Sequence, residues 1–164
     1  MKTAIVYYSM GGNTAFVAQS IAQELGADAD LIEIKPVKSY PDKGFKKFFW
    51  GGKSAVMAEK PDLMPYSFDA EKYDGVVIGF PVWASRIAPP IRTFVENNKA
   101  GLAGKSVSAF ACQAGSGAEK ALGNLKELLS VTDYKATMIL IDPMNKPDRS
   151  KEAKIREFCI SLNK

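Results

Sequence analysis

Apolar positions along this chain keep two rhythms that take turns. Residues 3 to 8 form a β-rich run ending at Ser9, and residues 14 to 25 then place Ala18, Ile21, Ala22 and Leu25 on one helical face. A short strand is predicted around 29 to 34. Residues 75 to 80 are almost continuously apolar, as in a strand buried on both sides. Pro89 and Pro90 suit the opening turn of a helix whose buried face carries Ile91, Phe94 and Val95. Two more strands are predicted at 106 to 112 and 136 to 142. Between them Ala118, Ala121, Leu122, Leu125, Leu128 and Leu129 mark a helix, and Ile155, Phe158, Cys159 and Leu162 mark the last one. This alternation predicts one α/β domain over residues 1–164, built on a parallel sheet with helices on both faces. The least regular stretch is 35 to 73. There Phe45, Phe48, Phe49, Gly52 and Val56 are spaced to line one face of a helix, against the helix-weakening pair Gly51-Gly52. Pro61 and Pro65 impose an extended approach to the third strand.

In an open parallel sheet, ligands bind beyond the carboxyl ends of the strands. The first such end reads Ser9-Met10-Gly11-Gly12-Asn13-Thr14 and leads into a helix. Its glycines allow a tight turn, Ser9 and Thr14 bring hydroxyls, and the helix start brings unpaired N–H groups, together a socket for a phosphate. A plain glycine turn with Thr14 as helix cap is the structural alternative. The Lys of a nucleoside-triphosphate loop is missing, which disfavours triphosphate hydrolysis. The second end reads Pro81-Val82-Trp83-Ala84-Ser85-Arg86. A planar ligand could cover Trp83 by stacking, or Trp83 packs on a neighbouring loop. The third end, Cys112-Gln113-Ala114-Gly115-Ser116-Gly117, has small residues that let backbone approach a ring closely. Cys112 itself reads first as a small buried hydrophobe. Taken jointly, the three ends suit a phosphorylated planar heterocycle.

Composition narrows the chemistry. The 164 residues contain no histidine, which removes Ser-His-Asp triads, Cys-His dyads and His-ligated metals. Two cysteines cannot build a four-thiolate site, and a cofactor is expected to carry any demanding chemistry. No apolar run approaches the roughly 20 residues of a membrane-spanning helix. The first residues lack the apolar core of a signal peptide, so a cytoplasmic location is expected. The net charge of +4 is local: residues 35 to 60 carry seven lysines against Asp42 and Glu59. A charge confined to one segment argues against nucleic-acid binding.

With these residues in view, the chain resembles the flavodoxin family in its short-chain form. The resemblance rests on Ser9-x-Gly11-Gly12-Asn13-Thr14, on Pro81-Val82-Trp83 and on Gly115-Ser116-Gly117, and spans nearly the whole chain. The fifth strand carries no long insertion. It implies a three-layer sandwich with a five-stranded parallel sheet in the order 2-1-3-4-5, and FMN as ligand. Carried over, Ser9, Met10, Gly11, Gly12, Asn13 and Thr14 would hold the phosphate. Pro81, Val82, Trp83 and Ala84 would form the inner flavin loop, while Cys112, Gln113, Gly115 and Gly117 would line the other side. Two features depart from the family: the chain is basic where low-potential carriers are acidic, and Trp83-Ala84-Ser85 has no glycine.

The expected function is electron transfer through the exposed flavin edge to a redox partner protein or a small acceptor, by a monomer or weak dimer. The alternative is an FMN-dependent NAD(P)H oxidoreductase acting on quinones or other small acceptors, with the segment from Phe45 to Trp50 walling its second pocket. That basic, aromatic segment could also touch an anionic membrane, although its phenylalanines fit a core stripe and no stable membrane association is expected. A phospho-accepting receiver domain is excluded, because its acidic positions read Tyr8-Ser9 and Phe80-Pro81.

Overall fold

The computed structural model describes residues 1–41, 52–145 and 148–164. Five strands, β1 (Thr3–Tyr7), β2 (Ala29–Glu33), β3 (Gly75–Pro81), β4 (Ser106–Gln113) and β5 (Thr137–Ile141), form one sheet in the order β2-β1-β3-β4-β5. Every neighbouring pair is parallel. The long helices are α1 (Asn13–Leu25), α2 (Pro89–Leu102), α3 (Ala118–Leu129) and α4 (Arg149–Leu162).

Strand alternation divides the core into two layers. Ala4 and Val6 of β1 join Val76, Ile78 and Phe80 of β3 and the apolar faces of α2 and α3. Ile5 and Tyr7 point the other way and join Val77, Phe110 and the apolar faces of α1 and α4. Gly79 leaves the space that the Phe110 ring fills in the neighbouring strand, where the two residues are register partners. The faces read from the sequence for the four long helices are buried or half-buried, fully so at Ile155, Phe158, Cys159 and Leu162 and partly at Ala22, Leu25 and Leu128. The last helix starts earlier than those residues, at an Asp148 cap whose carboxylate accepts from the backbone N–H groups of Ser150 and Lys151.

The stretch between β2 and β3 is partly regular. Pro36 bridges Leu63 in antiparallel fashion, with Val37 N–H donating to Asp62 and Met64 N–H donating to Lys35. Residues 52–56 are helical. Val56, expected on the buried face of this stretch, is exposed, and Ser54 and Ala55 are buried instead. The face is set by Ala55 entering the core, with Ser54 buried beside it. Phe45, Phe48, Phe49 and Trp50 of the expected stripe lie outside the described residues, as do Lys43, Lys46 and Lys47. Both cysteines are free and buried. Among the described residues no helix is long and apolar enough to cross a membrane, and no cluster of acidic or cysteine side chains could hold a metal ion.

Candidate functional site

A crevice of about 550 Å³ opens at the carboxyl edge of the sheet, where the loops after β1, β3 and β4 converge. The loop after β1 turns through Gly12, whose φ of 93° is open to glycine and strained for other residues. Gly12 N–H donates to the Ser9 hydroxyl at 3.2 Å, which closes the turn. The helix α1 that follows has no side-chain cap and no acidic residue in its first turn. Its leading N–H groups and positive dipole end are therefore available to an anion. Thr14 is 1% exposed and lines the crevice, yet its Oγ1 has no hydrogen-bond partner among the described residues. A buried hydroxyl left in that state costs about 1–3 kcal/mol, and this oxygen is free to hydrogen-bond a ligand atom in the crevice.

The end of β3 and the loop after it supply Pro81, Val82, Trp83 and Ala84 to the same crevice. Trp83 and Arg86 exchange both backbone hydrogen bonds, at 3.1 and 2.9 Å. Ala84 and Ser85 between them both have positive φ, 50° and 59°. This is the signature of a type I′ hairpin turn, built here without its usual Asn or Gly. Each left-handed non-glycine residue costs about 1–2 kcal/mol. Trp83 is not a free aromatic plate. It is 9% exposed, with edge-on contacts to Tyr8 (centroids 5.7 Å apart) and Tyr40 (5.1 Å). It packs on these neighbours, and its remaining surface borders the crevice. Burial raises the pKa of both tyrosines, that of Tyr40 to about 12, so both phenols are neutral at physiological pH.

The carboxyl end of β4 brings Cys112 and Gln113 to the crevice wall. The Gln113 side chain accepts from Ala118 N–H at 2.9 Å and so caps α3 from five residues upstream. Burial pushes the Cys112 thiol up to about 12; Thr14 opposes this and the Asp142 charge adds to it. The thiol is protonated at neutral pH and acts as a small apolar wall, not as a nucleophile.

Three expected residues do not line the crevice: Gly12, Gly115 and Gly117. Gly12 lies under the Met144 side chain, where a Cβ would come within 3.0 Å of the sulfur. Gly115 is exposed and meets nothing nearby. Gly117, with φ of 100°, seats Ser85 of the neighbouring loop against its bare Cα. These glycines shape and join the loops, and the residues beside them form the wall. Asn13 lines the crevice and also tethers the segment after β5, its Oδ1 accepting from Met144 N–H at 2.9 Å.

Sequence reasoning missed Gly52, Ala114, Asp142 and Asn145, which also line the crevice. Asp142 is signalled only by its place at the end of β5, because the chemistry was sought at three strand ends and not four. It is the one charged residue lining the crevice among the described residues. An anion at the α1 end is therefore met by hydroxyls and N–H groups without a countercharge from the described wall.

The architecture is shared with solved structures. A Lactobacillus acidophilus flavoprotein crystallised in complex with FMN is 25% identical, with a TM-score of 0.72 over 93% of this chain and 99% of its own. A Bacteroides eggerthii protein classed as a flavoprotein is 24% identical, with a TM-score of 0.76 over 99% of this chain and 98% of its own. A flavodoxin from the domain Archaea is 17% identical, with a TM-score of 0.63 over 99% and 96%. No curated protein matches the sequence. The sequence pattern of the family described as Flavodoxin matches residues 2–153, and with its five-stranded sheet in the order 2-1-3-4-5 the chain belongs to the flavodoxin family.

Proposed function

We propose that this chain binds FMN in the crevice and passes electrons between the flavin and a redox partner. The observation that carries the reading is the buried, unpartnered Thr14 hydroxyl at the foot of an uncapped helix, facing a crevice bounded by apolar and small residues. That donor set fits a phosphate ester on a planar, weakly polar body. FMN supplies reversible uptake and release of electrons, singly or in pairs. The protein's part is to hold and shield it. Ser9, Gly11 and Thr14 hold the phosphate, with the first N–H groups of α1. Met10, Val82 and Trp83 bound the ring system and exclude water, with Trp83 fixed from behind by Tyr8 and Tyr40. Cys112 and Gln113 close the opposite wall, and Gln113 keeps its orientation through its bond to the start of α3. The apoprotein is expected to bind FMN about a hundredfold or more tightly than riboflavin, read by quenching of flavin fluorescence. Equal affinity for the two would show that the socket at α1 does not hold a phosphate.

One feature favours a second reading, an FMN-dependent NAD(P)H oxidoreductase. The Ala84-Ser85 turn is already left-handed at both residues and hydrogen-bonded at both ends, so its peptides are not free to reset as the charge on the ligand changes. A fixed wall suits electrons that arrive in pairs as hydride. Steady turnover of NADH or NADPH with a soluble quinone is the expected result on this reading. A protein that takes up electrons from dithionite but turns over neither nucleotide is a carrier only.

A further inference from the structure

The chain leaving β5 returns to the start of α1. Asp142 turns it there: its N–H donates to the Gln113 carbonyl at 3.1 Å, and its φ of 40° is left-handed, which ends the strand. Pro143 is buried behind the turn. Met144 then meets α1 in two ways. Its N–H donates to Asn13 Oδ1 at 2.9 Å, across 131 residues of sequence. Its thioether lies over Gly12, with the sulfur 3.0 Å and the methyl 3.1 Å from the place a Cβ would occupy. Met144 itself does not line the crevice, whereas Asn13 and Thr14 do.

The first contact decides which way the Asn13 amide faces. A backbone N–H can only donate, so the atom it meets has to be the amide oxygen, and the planar group then turns its NH2 away from Met144. An asparagine at a helix start ordinarily spends its oxygen on an N–H of its own first turn. Here the oxygen goes to a distant segment, and α1 has no side-chain cap. Hydrogen bonding in this turn resumes only with Phe16 N–H on the Gly12 carbonyl at 2.9 Å, so the N–H groups of Asn13, Thr14 and Ala15 stay open. The Thr14 hydroxyl beside them is 1% exposed and unpartnered among the described residues. The α1 end of the crevice is thus a wall of donors, and among the described residues no lysine or arginine lines it. In such a wall the direction of one amide matters. A flipped Asn13 would turn lone pairs toward an anion in place of two N–H bonds. We propose that Met144 is the positioning residue of the anion socket: its N–H holds the Asn13 amide with the NH2 group presented to a phosphate monoester. The inference rests on the FMN reading and adds to it the residue that orients the socket.

Flavin titration, read by fluorescence quenching, tests this with Met144→Pro, which removes the N–H, with Asn13→Ala, and with the two combined. Met144→Pro is expected to weaken FMN about tenfold and riboflavin less than about twofold. Met144→Ala keeps the N–H and reads the side chain alone, with an effect on FMN of about twofold. Asn13→Ala is expected to weaken FMN about 30-fold, and the double variant to lie within about threefold of it, because the N–H then has no amide left to orient. Wild-type affinity in Met144→Pro, equal losses for FMN and riboflavin, or effects that multiply in the double variant overturn the proposal. A second measurement does not depend on the proline variant folding: inorganic phosphate is titrated into the isotope-labelled wild-type apoprotein. The side-chain NH2 signals of Asn13 are expected to shift together with the backbone amides of Asn13, Thr14 and Met144. NH2 signals that stay in place while the backbone amides of α1 move show that the amide does not face the anion, which overturns the proposal and leaves the FMN reading standing. A wild-type protein that binds FMN and riboflavin equally overturns the FMN reading and this inference with it.

Discussion

Replacing Gly117 by alanine is expected to lower stability by about 2–4 kcal/mol and to loosen FMN at least tenfold, although Gly117 does not line the crevice. Two costs add at this position. The backbone there has φ of 100°, beyond the left-handed region that an alanine tolerates. A Cβ would also come within 2.9 Å of the Ser85 Cα and Cβ, and nearer still to the hydroxyl. Ser85 cannot step aside cheaply, because it is the second central residue of the turn pinned between Trp83 and Arg86. Displacing it moves Ala84 and Trp83, which do line the crevice. Thermal unfolding of the apoprotein reads the first effect, and a drop of about 2–4 °C per kcal/mol is expected for a chain of this size. Flavin titration reads the second. Ser85→Gly in the Gly117→Ala background removes part of the collision and is expected to recover part of both losses, a coupling that independent sites would not show. A variant with the wild-type midpoint and affinity would mean that the two loops are not joined at this contact.

That contact illustrates which features of the fold and site were legible in the sequence. The strands and helices were, because Val76 to Phe80 and the Leu122–Leu125–Leu129 spacing state their periods locally. The convergence of three loops was legible too, since parallel strands bring their carboxyl ends to one edge. What a residue does inside a loop was not. Gly115 and Gly117 look alike in the sequence, yet one is exposed and meets nothing while the other seats Ser85. Trp83 offered two roles, and its packing on Tyr8 and Tyr40, one of them 43 residues away, could not be read from its own loop. Val56 followed the helical spacing but came out exposed, because Ala55 takes the place facing the core. Asp142 was invisible for a different reason: its importance is only that β5 ends next to β4, where Asp142 N–H donates to Gln113. Local patterns report periodicity, whereas these four depend on contacts between distant segments.

Thr14→Val separates the phosphate from the rest of the ligand, and its effects on apoprotein and complex are expected to have opposite signs. Valine keeps the shape and the branching of threonine and replaces the hydroxyl with a methyl group. In the apoprotein that hydroxyl is buried with no partner among the described residues, so its loss is expected to leave stability unchanged or to raise it by up to about 1 kcal/mol. On the proposed reading the same oxygen donates to the phosphate dianion in the complex. Losing a hydrogen bond to a charged group costs about 1.5–3 kcal/mol, or roughly 10- to 150-fold in Kd. Riboflavin lacks the phosphate, and its affinity is expected to change less than about twofold. Equal losses for FMN and riboflavin would place Thr14 against the ring or in the frame of α1, and the anion socket would then have to be sought elsewhere along the crevice.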